Sequence, residues 1–156
     1  MITIGPYQAE SDQASIIQLA GRLADSTFCP EKTTVQTFKN TQRNLMLSDL
    51  ENLPATTTIL VARNANKVIG FIQIDEKTDW LTLTKIGHID RLAIAEDFTE
   101  QGIATKLLAA AEEVAKNKNY HQLTLMAFND NVKALKLYEK IGFKIETVGM
   151  VKKLDK

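Results

Sequence analysis

All three prolines of the chain, Pro6, Pro30 and Pro54, fall within its first 54 residues, and from residue 55 onward none interrupts the pattern. Proline removes a backbone donor and breaks helices and ladders, so each one marks the end of a periodic segment. The uninterrupted remainder reads as alternating strands and helices. Residues 57–62 and 68–74 are β-branched runs separated by Arg63-Asn64-Ala65-Asn66-Lys67, a hairpin pattern. A third strand is expected at about 83–94. An amphipathic helix follows, with Ile103, Leu107, Ala110, Ala111, Val114 and Ala115 on one face. Residues 123–128 read as a buried strand and 132–141 as a helix ended by Gly142. Residues 143–146 and 147–154 read as two closing strands. Before Pro54, residues 1–4 read as a strand stopped by Gly5-Pro6, and Asp12 as the cap of a helix burying Ile16, Leu19, Ala20 and Leu23. A second helix over about 32–50 would bury Val35, Phe38, Leu45 and Leu50. This order describes an α/β (α+β) mixed sheet flanked by helices, and 156 residues suit one domain, 1–156.

Charge narrows the function. Lys+Arg and Asp+Glu are both 19, and no block of like charges occurs, so nothing supports binding to nucleic acid or an anionic membrane. Cys29 stands alone, which excludes an intramolecular disulfide and a Cys-rich zinc site. His88 and His121 lack metal-ligand spacing, so no metal is expected. With no apolar run of membrane-spanning length and no signal-like N-terminus, the expected location is cytoplasmic.

Two segments carry chemistry. Leu92-Ala93-Ile94 closes a strand, and Thr99-Glu100-Gln101-Gly102-Ile103-Ala104-Thr105 opens the next helix. The first N–H groups of a helix lack intrahelical partners and carry partial positive charge, and small residues let an anion approach them. A pyrophosphate would fit there. The competing reading is a plain capping box at 97–100 with a solvated helix end. In the second segment, Asn131 to Phe143, Tyr138 lies seven residues after Asn131 on the same helical face. A tyrosine facing a cleft can donate its proton to a departing thiolate; an isolated one is more often a packing residue.

Together these segments resemble the GCN5-related N-acetyltransferase (GNAT) family. The family's pyrophosphate loop, Gln/Arg-x-x-Gly-x-Gly/Ala, corresponds to Thr99 through Ala104. Its later signature, Asn-x-x-Ala-x-x-Leu-Tyr-Glu-Lys-x-Gly-Phe, is filled at every fixed position from Asn131 to Phe143. The resemblance implies a mostly antiparallel central sheet of six to seven strands with about four helices. It also implies acetyl-CoA as co-substrate, lying in a splay between the strand ending at Ile94 and the one starting near Leu123. Main-chain groups of Leu92 and Ile94, flanking Ala93, would bond the pantetheine arm. N–H groups from Gln101 to Thr105 would hold the pyrophosphate, Asn131 would contact the arm or order the cleft, and Tyr138 would protonate the thiolate. Thr99 and Glu100 depart from the family, which favours Gln, Arg or Lys there. The departure predicts a weaker grip on the phosphates, with Lys106 compensating in part.

The resemblance leaves the general base open. One family position for it is Met126 here, which cannot serve. Another, counted back from Thr99, is His88, with Asp90 two residues on and its side chain on the same face. An imidazole accepts a proton near neutral pH; Asp90 is equally open to pairing with Arg91, and a water chain could replace a single base. The resemblance implies an acceptor amine (a small molecule, a protein N-terminus or a lysine) selected by residues 25–32 (Asp25, Phe28, Cys29, Glu31, Lys32) and 147–149. Dimers are frequent in the family, though nothing in the sequence identifies an interface. The alternative to an active enzyme is an acyl-CoA-binding sensor or partner-binding module that has lost catalysis.

Overall fold

The computed structural model describes residues 1–24 and 32–155; of the expected acceptor-shaping residues, Asp25, Phe28, Cys29 and Glu31 lie outside them. Five strands form one sheet in the order β1-β2-β3-β4-β5. They are β1 (Ile2–Pro6), β2 (Thr58–Asn64), β3 (Lys67–Thr78), β4 (Lys85–Ile94) and β5 (Leu123–Leu125). The first three pairings are antiparallel and β4 with β5 is parallel. Four α-helices flank the sheet: α1 (Ala9–Ala20), α2 (Val35–Glu51), α3 (Ile103–Asn117) and α4 (Val132–Lys140). Among the described residues no helix is long and apolar enough to cross a membrane.

Strand alternation divides the core in two. On one face Ile59, Val61, Phe71 and Ala93 pack against Ile16, Leu19 and Ala20 of α1 and Met46 of α2. On the other, Ile69, Ile72, Ile74 and Ile89 pack against Ile103, Leu107, Leu108 and Ala111 of α3. The β2–β3 hairpin is tighter than the sequence pattern suggests, because Ala65 adopts a positive φ of 54° and the turn needs only Ala65 and Asn66.

Three expectations are corrected. The sheet has five strands rather than six or seven. Residues 143–154 join no ladder, and Ile145, Val148, Met150, Val151 and Leu154 stand exposed. A strand exists only through its partner, and β5 offers just three paired residues as an edge. In α2 only Met46 is buried, whereas Val35 and Leu45 are exposed, because a loosely periodic segment leaves the helix rotation undetermined. Finally, α1 starts at Ala9, so Asp12 caps from inside the helix, accepting from the Gln8 N–H at 2.8 Å.

Asp12 is 2% exposed and also pairs with Arg63 of β2, whose guanidinium donates as well to the Pro6 carbonyl at 3.3 Å. One carboxylate thereby ties α1, β1 and β2 together. Removing one partner of a buried pair leaves the other uncompensated. Asp12→Ala is therefore expected to cost about 3 kcal/mol, read as a lower urea midpoint at unchanged m-value. A cost below about 0.5 kcal/mol would show that the pair is not an anchor.

Candidate active site

The site begins where β4 loses its second neighbour. Gln73 pairs with Arg91 and Ile74 with Ile89, so Asp90 is an extra residue in β4, a β-bulge. Pairing between β4 and β5 ends at Ile89 and Leu125, while β4 runs on to Ile94. Beyond the bulge one edge of β4 is therefore open. The Ala95 N–H goes to Ile69 of β3, so by alternation the main-chain groups of Leu92 and Ile94 point to the open side and those of Ala93 toward β3. The two strands part at this point, where the resemblance implies a pantetheine arm. The last carbonyl of β4 already has a partner, since Arg22, just after α1, donates Nε–H to Ile94 O at 2.6 Å. No sequence signal points to Arg22, because the contact joins residues 72 apart.

The open edge leads to the N-terminus of α3. Residues Glu96–Phe98 form a short 3-10 turn, tied by Thr99 Oγ1 to Glu96 O at 3.0 Å and Gln101 Nε2 to Asp97 O at 3.2 Å. Glu100 and Gly102 then take left-handed conformations, with φ of 62° and 76°. Gly102 is the N-cap and supplies no side-chain cap. The capping-box alternative is thus not what forms, and the N–H groups of Ile103, Ala104 and Thr105 lack intrahelical acceptors. A Cβ on Gly102 would meet nothing within 4 Å, so glycine is needed for its backbone angle, not for packing.

Glu100, the unexpected acid in this loop, bonds Lys133 of α4 at 2.7 Å rather than Lys106. The bonded ammonium holds the Glu100 carboxyl below the usual range, first through the hydrogen bond and then through its charge. The two ends of the cleft, the α3 loop and the first turn of α4, are thereby joined. Asn131 caps α4, its side chain accepting from the Ala134 N–H at 3.3 Å.

Tyr138 is half-buried against the α3-face core, with its ring edge-on to Phe143 at 5.9 Å. Burial raises its phenolic pKa above the ordinary 10.0, so the proton stays on at neutral pH. Ile89 lies in the same α3-face cluster, which places neighbouring His88 on the opposite, α1/α2 face. His88 is 9% exposed and sits opposite Asp75 of β3 and Thr124 of β5, with Nδ1 2.8 Å from Thr124 Oγ1. Burial, helped by Lys77, pushes the imidazole below its ordinary value, while Asp90 and Asp75 oppose the shift. Asp90 also reaches Arg91 at 3.5 Å. Met126 is exposed at the end of β5 and carries no acid–base group.

The scaffold that sequence reasoning missed is centred on Arg91, 7% exposed. Its Nη1 donates to Asp49 of α2 at 2.7 Å and to Gln73 at 2.8 Å. Gln73 in turn donates to Asp75 at 3.0 Å. The bulge puts Arg91 on the same face as His88, which strict alternation from position 88 forbids.

Comparison with known proteins agrees with this geometry. The chain is 42% identical over 57 residues to N-alpha-acetyltransferase 30 of Schizosaccharomyces pombe, a match covering 36% of this chain and 38% of that protein. It is 33% identical over 88 residues to an N-alpha-acetyltransferase of Saccharolobus solfataricus, covering 51% of this chain and 52% of that one. These matches span about half or less of those relatives. A solved structure described as a putative acetyl transferase from Pyrococcus furiosus superposes with a TM-score of 0.80 at 25% identity, covering 99% of this chain and 100% of that one. Residues 25–143 match the acetyltransferase (GNAT) family, and with the open β4 edge and the uncapped α3 terminus in place, the chain belongs to that family.

Proposed function

We propose that this protein transfers an acetyl group from acetyl-CoA to a primary amine by direct attack within a ternary complex. The observation that carries the reading is the unpaired edge of β4, Leu92 to Ile94, running into the uncapped N-terminus of α3. Such an edge pairs with the amides of a pantetheine arm as it would with another strand. The N–H groups of Ile103 to Thr105 suit a pyrophosphate.

Each residue then has a task. His88, neutral at physiological pH, takes the proton from the ammonium form of the acceptor. Asp90 and Asp75 favour the imidazolium that results. The free amine forms the new C–N bond as the C–S bond breaks, Tyr138 donates its proton to the departing sulfur, and the proton then lost from the amide nitrogen restores the phenol by way of solvent. Relatives named as N-alpha-acetyltransferases act, by their names, on α-amines; this supports an amine acceptor and leaves protein N-terminus and small molecule both within the proposal. Any homodimer belongs to the proposal as well. The alternative, a binding module without turnover, draws on Glu100 in the phosphate loop and on Arg22 at the Ile94 carbonyl.

Calorimetric titration with acetyl-CoA, followed by CoA release with a panel of amines, separates the two. An active enzyme binds and turns over, whereas a sensor binds only. Gly102→Glu places a charge and a disfavoured left-handed side chain at the phosphates, and acetyl-CoA affinity should fall by at least about tenfold. Unchanged affinity would locate the cofactor elsewhere. Tyr138→Phe should lower kcat by about 10²-fold with acetyl-CoA affinity nearly intact; equal turnover would remove Tyr138 from the mechanism.

The pH dependence has a definite sign. Because burial lowers the His88 pKa, the acidic limb of kcat/KM should lie below the ordinary imidazole value of about 6.5. Asp90→Asn removes a charge that raises that pKa, so the limb should move further down. A profile of His88→Ala with the same acidic limb would clear His88 of the base role.

A further inference from the structure

We infer that Thr124 is a positioning residue for His88. It holds the neutral ring as the Nδ1–H tautomer, so that the unprotonated nitrogen left for the acceptor is Nε2. The inference rests on the reading of His88 as the base.

The parallel register of β4 and β5 sets the two residues side by side, His88 of β4 opposite Thr124 of β5, immediately before the strands part. Thr124 Oγ1 lies 2.8 Å from His88 Nδ1 and 3.5 Å from the Gly87 carbonyl. A hydroxyl has one proton and two lone pairs. The Gly87 carbonyl can only accept, so a threonine proton directed to it, at the 3.5 Å limit of a hydrogen bond, leaves Oγ1 to meet the ring as an acceptor. Nδ1 must then carry the ring hydrogen, and the other ring nitrogen bears the lone pair. Nε2 is free to use it. None of the hydrogen bonds among the described residues engages Nε2.

The alternatives fail as a base. If Oγ1 donated to Nδ1, Nε2 would carry the hydrogen and the remaining lone pair would be occupied by threonine. The charged groups acting on the ring, Asp75 and Lys77 of β3 and Asp90 of β4, set how readily it takes a proton, while Thr124 is the residue that engages a ring nitrogen by a hydrogen bond. Valine at this position would keep the branched shape and lose the acceptor.

The test reads the ring directly. Long-range proton–nitrogen NMR of the ¹⁵N-labelled full chain, above the His88 pKa, distinguishes a protonated ring nitrogen from a bare one. The His88→Ala spectrum assigns the signals against His121. Wild type and Thr124→Ser should both show Nδ1 protonated and Nε2 bare; Thr124→Val should shift the ring toward Nε2–H. Turnover should follow, with kcat/KM about tenfold lower in Thr124→Val and recovered in Thr124→Ser. A wild-type ring protonated at Nε2 would overturn the inference and leave the base role standing. The same tautomer in Thr124→Val as in wild type would also overturn it. His88→Ala turning over like wild type would instead remove the base reading, while the spectra still reported the ring. The serine variant guards against misfolding, because it retains the hydroxyl with less bulk.

Discussion

Everything at this site depends on β4 being paired along one edge for its whole length and along the other for only three residues. A buried N–H or carbonyl without a partner costs about 1–3 kcal/mol, so an interior strand rarely runs on past its neighbour. Here β4 does so for five residues, from Asp90 to Ile94. Part of that deficit is met by Arg22, which gives the Ile94 carbonyl a donor. On the proposed reading, a ligand built of alternating amides and methylenes and ending in a polyanion would complete the edge and then reach the α3 terminus. The cleft is an unfinished piece of secondary structure.

The bulge that starts the divergence needs its own support, because it turns Arg91 toward α2. Arg91, Asp49, Gln73 and Asp75 form a continuous hydrogen-bonded line from α2 through β4 to β3, and Thr57 joins at Asp75 with 3.0 Å. A buried guanidinium is tolerable only with its donors well used. Asp75 is also the register partner of His88. The same line that clamps the bulge therefore fixes the electrostatic surroundings of the imidazole, which couples the shape of the cleft to its acid–base chemistry.

What the sequence made legible was local. The run from Asn131 to Phe143 could be read because a helix fixes the seven-residue spacing of Asn131 and Tyr138, and the cap at Ala134 N–H follows from that helix alone. The α3 terminus was legible for the same reason. Positions that depend on packing between distant segments were not. Nothing in a loose period tells Met46 from Leu45 as the buried residue of α2. Nothing near Arg22 announces a carbonyl 72 residues away. The closing segment shows the converse failure, since its apolar residues suit a strand while no ladder forms. Asp90 was placed on the face of His88 by simple alternation, and the bulge that adds Arg91 to that face was invisible to it.

In the proposed reaction the two residues assigned to proton transfer lie on opposite faces of the sheet. Tyr138 packs with the α3-face core, and His88 lies on the α1/α2 face. An acyl carbon held at the divergence of β4 and β5 would have the thiolate side toward one face and the attacking side toward the other. Acceptor and cofactor then need not share a route, and neither must leave for the other to bind. On the proposed reading, the α1/α2 face could vary with the amine while the α3 face stays with the cofactor.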